Sequence, residues 1–115
     1  MDRIIYKIAT RGEWAEAEKA GVFEGAPVDL ADGFIHFSTA AQVRETAAKH
    51  FAGKADLLLV AVDAAKLGDA LKWEVSRGGA LFPHLHAPLD LSVVAWVREL
   101  PLGEDGAHVF PELGG

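Results

Sequence analysis

Six consecutive residues, Leu57 to Val62 (L-L-L-V-A-V), include no polar member. Side chains alternate between the two faces of a strand, so such a run is buried only where both faces of its sheet are covered. The rest of the chain must therefore supply apolar layers on two sides of one central strand. Ile4, Tyr6 and Ile8 alternate with Ile5 and Lys7, a strand signal. Leu71, Trp73 and Val75 alternate with Lys72, Glu74 and Ser76, and Val93 to Leu100 forms a further strand. Leu81 to His86 is extended as well, and Pro83 suits an edge or a bend better than a central position.

Helices are expected early. Thr10 and Glu13 have the spacing of a capping box, opening a short helix through Trp14 and Ala17 that ends near Gly21. Residues 21–33, with three glycines and Pro27, read as a loop. Thr39 and Gln42 repeat the box and open a second helix with Val43, Ala47 and Phe51 along one side, stopped near Gly53. Two early helices and mostly late strands argue for an α+β domain over an alternating parallel sheet. With 115 residues, 50% of them hydrophobic, the chain has material for one sizeable core. The expectation is one compact domain, 1–115, of mixed and mostly antiparallel sheets with two short helices. Its core spans about 3–100, and a Gly- and Pro-rich tail, 101–115, lies on the surface. Ile35, Phe37, Leu58, Val60, Trp73 and Val97 are expected inside.

Seventeen acidic against eleven basic residues give a net charge of -6, which repels a phosphate backbone, and no run of Lys and Arg offsets it. Nucleic acid is therefore not an expected partner. The absence of cysteine removes disulfides, thiolate metal sites and a catalytic thiol. The start, M-D-R-I-I-Y-K-I, has no signal-peptide pattern, and the longest apolar run is far short of a membrane span. A soluble, cytoplasmic protein is expected. There is no Walker loop, G-x-S-x-G elbow or G-x-G-x-x-G.

The chemistry concentrates in a few segments. In D-G-F-I-H-F-S-T, Asp32 to Thr39, strand alternation puts Ile35 and Phe37 on one face and Phe34, His36 and Ser38 on the other. Ser38 and Thr39 precede a helix N-terminus, whose free amides suit anionic groups, although one hydroxyl is needed there as a cap in any case. Glu74 lies on the polar face of its strand. It either pairs with Lys72 or Arg77 in solvent, or faces His36 across a groove and holds ribose hydroxyls; spacing leaves both open. His84 and His86 at i and i+2 are metal-ligand spacing with His36 as a third donor, but no carboxylate cluster accompanies them. No tightly bound metal is expected.

Y-K-I near the start, E-W, D-G-F-I-H-F-S-T-A-A-Q-V, L-K-W-E, F-P-H-L and V-V-A-W-V together resemble the bacterial family known as domain of unknown function 952. The resemblance runs from about Ile5 to about Leu100. It implies an α+β fold similar to the ADP-ribosyltransferase-like fold. Two departures stand out: Lys7 where the family often has His, and His86-Ala87 where it usually has Tyr-Gly. The fold analogy implies a nucleotide-like ligand, with NAD as a substrate and not a tightly held cofactor. Glu74 and His36 would be catalytic, while Lys7, Ser38, Thr39, His84 and Arg77 would bind the ligand. Two other readings compete with this transferase or glycohydrolase: a non-catalytic module for nucleotides or small anions, and a metal-dependent enzyme built on the histidines.

Overall fold

A computed structural model describes residues 3–113, apart from the side chain of Arg77. Eight strands and three α-helices alternate irregularly along these residues: β1 (Ile4–Thr10), α1 (Arg11–Ala20), β2 (Val22–Phe23), α2 (Pro27–Asp32), β3 (Ile35–His36), α3 (Ala40–His50), β4 (Leu57–Asp63), β5 (Leu71–Val75), β6 (Leu81–Leu85), β7 (Leu89–Asp90) and β8 (Val94–Leu100). They build two three-stranded sheets, ordered β1-β4-β8 and β3-β6-β5, plus a β2-β7 ribbon. Every ladder is antiparallel. This is a compact α+β domain. No helix among the described residues is long and apolar enough to cross a membrane.

The apolar run is the centre of the first sheet, and all seven residues of β4 are buried. One face of that sheet, with Ile5, Ala9, Leu58, Val60 and Val62, packs against Trp14 and Ala17 of α1 and Ile35, Phe37, Leu85 and Leu89. The opposite face, with Tyr6, Ile8, Leu57, Leu59 and Ala61, packs against Val43 and Ala47 of α3. Two cores thus share one strand, as a run without polar residues requires. The segment after Pro101 joins the second core through Phe110 and Leu113, so it does more than cover the surface.

Four of the six residues expected inside are buried: Ile35, Phe37, Leu58 and Val60. Trp73 is half-buried. Val97 is 37% exposed, because β8 is the outer strand and the layer over the first core does not extend across it. Pro83 lies in the middle strand of its sheet, against expectation. The N–H and C=O of a strand residue point to the same side. The Pro83 carbonyl accepts from the Phe37 amide, so its missing N–H falls on the β3 side, where that strand ends after two residues and only one ladder bond is forgone.

The expected loop at 21–33 contains a third helix, α2. Pro27 occupies its first turn, and the Asp29 carboxylate accepts from the Ala26 amide at 2.8 Å. Ala26 has no side chain with which to cap, so the acidic residue supplies the cap from inside the helix. At α1 the full box forms: the Thr10 hydroxyl accepts from the Glu13 amide and the Glu13 carboxylate from the Thr10 amide. At α3 the Gln42 side chain accepts from the Thr39 amide at 3.0 Å, while the Gln42 amide donates to the Thr39 carbonyl.

Candidate functional site

The β3-β6-β5 sheet carries the chemistry on one face. Its register places His36 opposite His84, and His84 opposite Lys72. Residues opposite one another, and those two positions along, share a face, so Phe34, His36, His84 and Glu74 come together. The other face carries Ile35, Leu71, Trp73 and Leu85 into the first core. Alternation on three strands therefore converts separate polar positions into one cluster.

Phe34 is its centre. Its ring stacks on His84 at 4.2 Å between centroids, and lies 4.5 Å from His36 and 5.1 Å from His86. The His36 and His84 rings meet edge to face at 5.4 Å. One oxygen of Glu74, Oε1, accepts from His84 Nδ1 at 2.9 Å and from His86 Nε2 at 2.8 Å. Bonds from His86 and His84 hold the Glu74 carboxyl below its ordinary range. Burial, partly opposed by Glu74, lowers His84.

A second carboxylate anchors His36 from below. His36 Nδ1 lies 2.6 Å from Asp29 Oδ1, and Nε2 lies 2.9 Å from Asp32 Oδ2. Asp29 also accepts from the His36 amide and, at 2.8 Å and 3.0 Å, faces the Lys7 ammonium. Asp29 is 2% exposed and Lys7 5%. Burial opposes ionisation of Asp29, yet the His36 bond and the Lys7 charge prevail and hold its carboxyl at about 2. Burial of Lys7 outweighs the attraction of Asp29 and lowers its ammonium from 10.5. Gly25 permits this approach: its φ is +127°, and a Cβ there would lie 2.8 Å from the Asp29 Cβ.

The sequence-derived candidates therefore divide. His36, Glu74 and His84 share the cluster, and Lys7 reaches it through Asp29. Ser38 does not share it. The chain turns after β3 to pair Ser38 with Tyr6 of β1, and the Ser38 hydroxyl meets Thr46 of α3 at 2.9 Å. Thr39 is buried at the start of α3. The Arg77 side chain lies outside the described residues. His86 joins the cluster, whereas Lys72 donates to the Asp69 carbonyl. Asp29 and Asp32 were missed. Their signal was Pro27 at a first helical position with an acidic residue two places on, hidden by the glycines around it. Among the described residues, no group of three or more His, Cys, Asp or Glu is arranged to hold a metal ion.

Residues 8–97 match the family model described as protein of unknown function, DUF952. The chain belongs to that family. This DUF952 protein is similar to protein CC0527 from Caulobacter crescentus, whose crystal structure has a TM-score of 0.89 at 56% identity over 92% of this chain and 93% of that one. The solution NMR structure of CC0527 has a TM-score of 0.84 at 56% identity, over 92% of this chain and 91% of that one. No curated protein matches the sequence.

Proposed function

We propose that this DUF952 protein is a small nucleotide-handling enzyme that takes NAD or an ADP-ribose derivative and acts at the ribose, as a transferase or glycohydrolase. The observation that carries the reading is the convergence of His36, His84 and Glu74, from three different strands, around the ring of Phe34. Side chains placed singly on a sheet face need no common centre, and their assembly around an aromatic ring suits a shared ligand.

The chemistry of the face favours one end of such a ligand. Asp29, Asp32 and Glu74 surround the imidazoles, and the charge of Lys7 is buried in its pair with Asp29. That surrounding suits a positively charged nicotinamide ring and ribose hydroxyls better than a diphosphate. A cationic ring over Phe34 adds an attraction of its own. When the nicotinamide–ribose bond breaks, its electron pair passes to the ring nitrogen and positive charge develops on the ribose. A fixed carboxylate such as Glu74 stabilises that charge.

Thermal denaturation with NAD, ADP-ribose and unrelated nucleotides, followed by mass analysis of products, tests the proposal. NAD should raise the transition temperature and yield nicotinamide. Glu74→Gln should abolish turnover while keeping the fold and most of the affinity. Stabilisation without any product would make the face a nucleotide-binding module, and the absence of both effects would sink the nucleotide reading.

A further inference from the structure

Three imidazoles around one phenylalanine do not have equal protonation states open to them, and their partners distinguish them. Ionised Glu74 can only accept hydrogen bonds, so the ring nitrogens facing its Oε1 must carry hydrogens. For His84 the facing atom is Nδ1, and for His86 it is Nε2. A neutral imidazole has one N–H, so a neutral His84 that donates from Nδ1 carries a bare lone pair on Nε2.

The surroundings of that lone pair are unusual. The His84 side chain is 6% exposed, and Nε2 has no hydrogen-bond partner among the described residues. A buried polar atom left unsatisfied costs about 1–3 kcal/mol, so its retention beside an aromatic ring points to a group that binds there. His36 differs. Both of its nitrogens face carboxylate oxygens, Asp29 at 2.6 Å and Asp32 at 2.9 Å, an arrangement that leaves neither nitrogen open to a ligand. The titratable groups around His84 are then Glu74 and Lys72 on β5, His36 on β3, Asp29 and Asp32 on α2, Lys7 on β1, and His86 just beyond its own strand.

We infer that His84 is the proton acceptor of the site, through Nε2, and that Glu74, besides stabilising the developing charge, positions that ring by fixing its Nδ1–H tautomer. This assignment rests on the proposed chemistry for its reaction step, and on the geometry alone for its tautomer. In the step, a water or acceptor hydroxyl bonds to the ribose carbon as nicotinamide leaves as a neutral molecule. The proton of that hydroxyl passes to His84 Nε2 and from there to solvent. No oxidant or reductant is involved. The inference gives the base function to a residue that the resemblance assigned only to binding, and not to His36, whose nitrogens are both engaged. The low position of His84, imposed by burial, agrees with a ring that stays neutral at physiological pH.

Nitrogen-15 NMR of the histidine rings in the whole, ligand-free protein at neutral pH tests the tautomer without any substrate. His84 should show a protonated Nδ1 and an unprotonated Nε2. In Glu74→Leu, which removes the acceptor, the ring should revert to the Nε2–H form that free histidine favours, and Glu74→Gln should retain Nδ1–H. An Nε2–H tautomer in the wild type overturns the inference, as does a tautomer indifferent to Glu74→Leu. If NAD is turned over, His84→Gln should reduce the rate by about 10²–10⁴-fold with the other rings unchanged in NMR. An undiminished rate in that variant also overturns it. A protein inert towards NAD whose His84 shows the expected tautomer would sink the NAD reading and leave the accepting nitrogen assigned.

Discussion

The most exacting consequence of the structure concerns Asp29→Asn. The native carboxylate receives Lys7, the His36 ring, and the amides of Ala26 and His36. An amide of the same shape keeps one accepting oxygen, but its nitrogen faces groups that also donate, and Lys7 is left buried as an unpaired charge. Breaking a buried pair by removing one partner costs about 3–5 kcal/mol. Against a total of about 5–15 kcal/mol for a domain, that is a large fraction. With a urea slope of about 2 kcal/mol/M, a loss of about 4 kcal/mol moves the midpoint down by about 2 M. Lys7→Met should be destabilising too, since it leaves Asp29 buried and charged. The double variant Lys7→Met with Asp29→Asn should recover much of the loss, because neutral replacement of both partners removes the unpaired charge.

The pH dependence has a worked sign. The Asp29 carboxyl stands at about 2 in the folded protein against an ordinary 3.8. A depressed carboxylate contributes stability that is present above its unfolded value and is lost as pH falls through its folded one. The difference is worth about 2 kcal/mol, lost between about pH 4 and pH 2. Asp29→Asn should lack that loss. Burial lowers Lys7 from its ordinary 10.5, so the desolvation cost of its ammonium is relieved as pH rises towards that value. The Asn variant, deprived of the opposing carboxylate, should therefore regain stability at alkaline pH more than the wild type does. Urea melts across pH measure both. A cost below about 1 kcal/mol, or singles whose effects simply add in the double, would refute the buried pair as described.

Thr10→Ala should cost about 1 kcal/mol in urea melts through loss of the α1 cap, with Thr10→Ser largely restoring it. Leu59→Ala, in the fully buried β4, should cost about 2–5 kcal/mol, whereas Val97→Thr on the half-open outer strand should stay within about 0.5 kcal/mol. Equal costs at these two positions would contradict the two-core arrangement. Gly25→Ala should be destabilising and should also shift the His36 ring resonances, because its Cβ would meet Asp29 and the φ of +127° is strained for alanine. A variant with native His36 shifts would show that Asp29 has room to move.

How far the candidate site could be read from the chain depends on the residue. His36, Glu74 and His84 each sit at a polar position of an otherwise apolar strand pattern, and that much is local. The register that sets His36 against His84, and Glu74 two places along, depends on which strands pair. Ser38 shows the limit of alternation: it holds only while the strand runs straight, and β3 ends after two residues so that Ser38 can bridge to β1. Asp29 shows another. An aspartate in a glycine-rich stretch is ordinarily solvated, and only the arrival of Lys7 from β1 and His36 from β3 makes it the most buried carboxylate of the cluster.

The class of fold, the central strand and the starts of α1 and α3 were legible in short stretches of the chain. These follow from contacts within a few residues: an apolar run that excludes solvent on both faces, alternation along β1 and β5, and caps three residues apart. Tertiary structure alone decided which strands lie outermost, and so why Val97 is exposed and Pro83 is central. It also decided that Lys7 neutralises Asp29 and that Glu74 orients two imidazoles. Pairing between distant segments depends on the packing of whole faces, and an ion pair 22 residues apart in the chain leaves no periodic mark in either partner's neighbourhood.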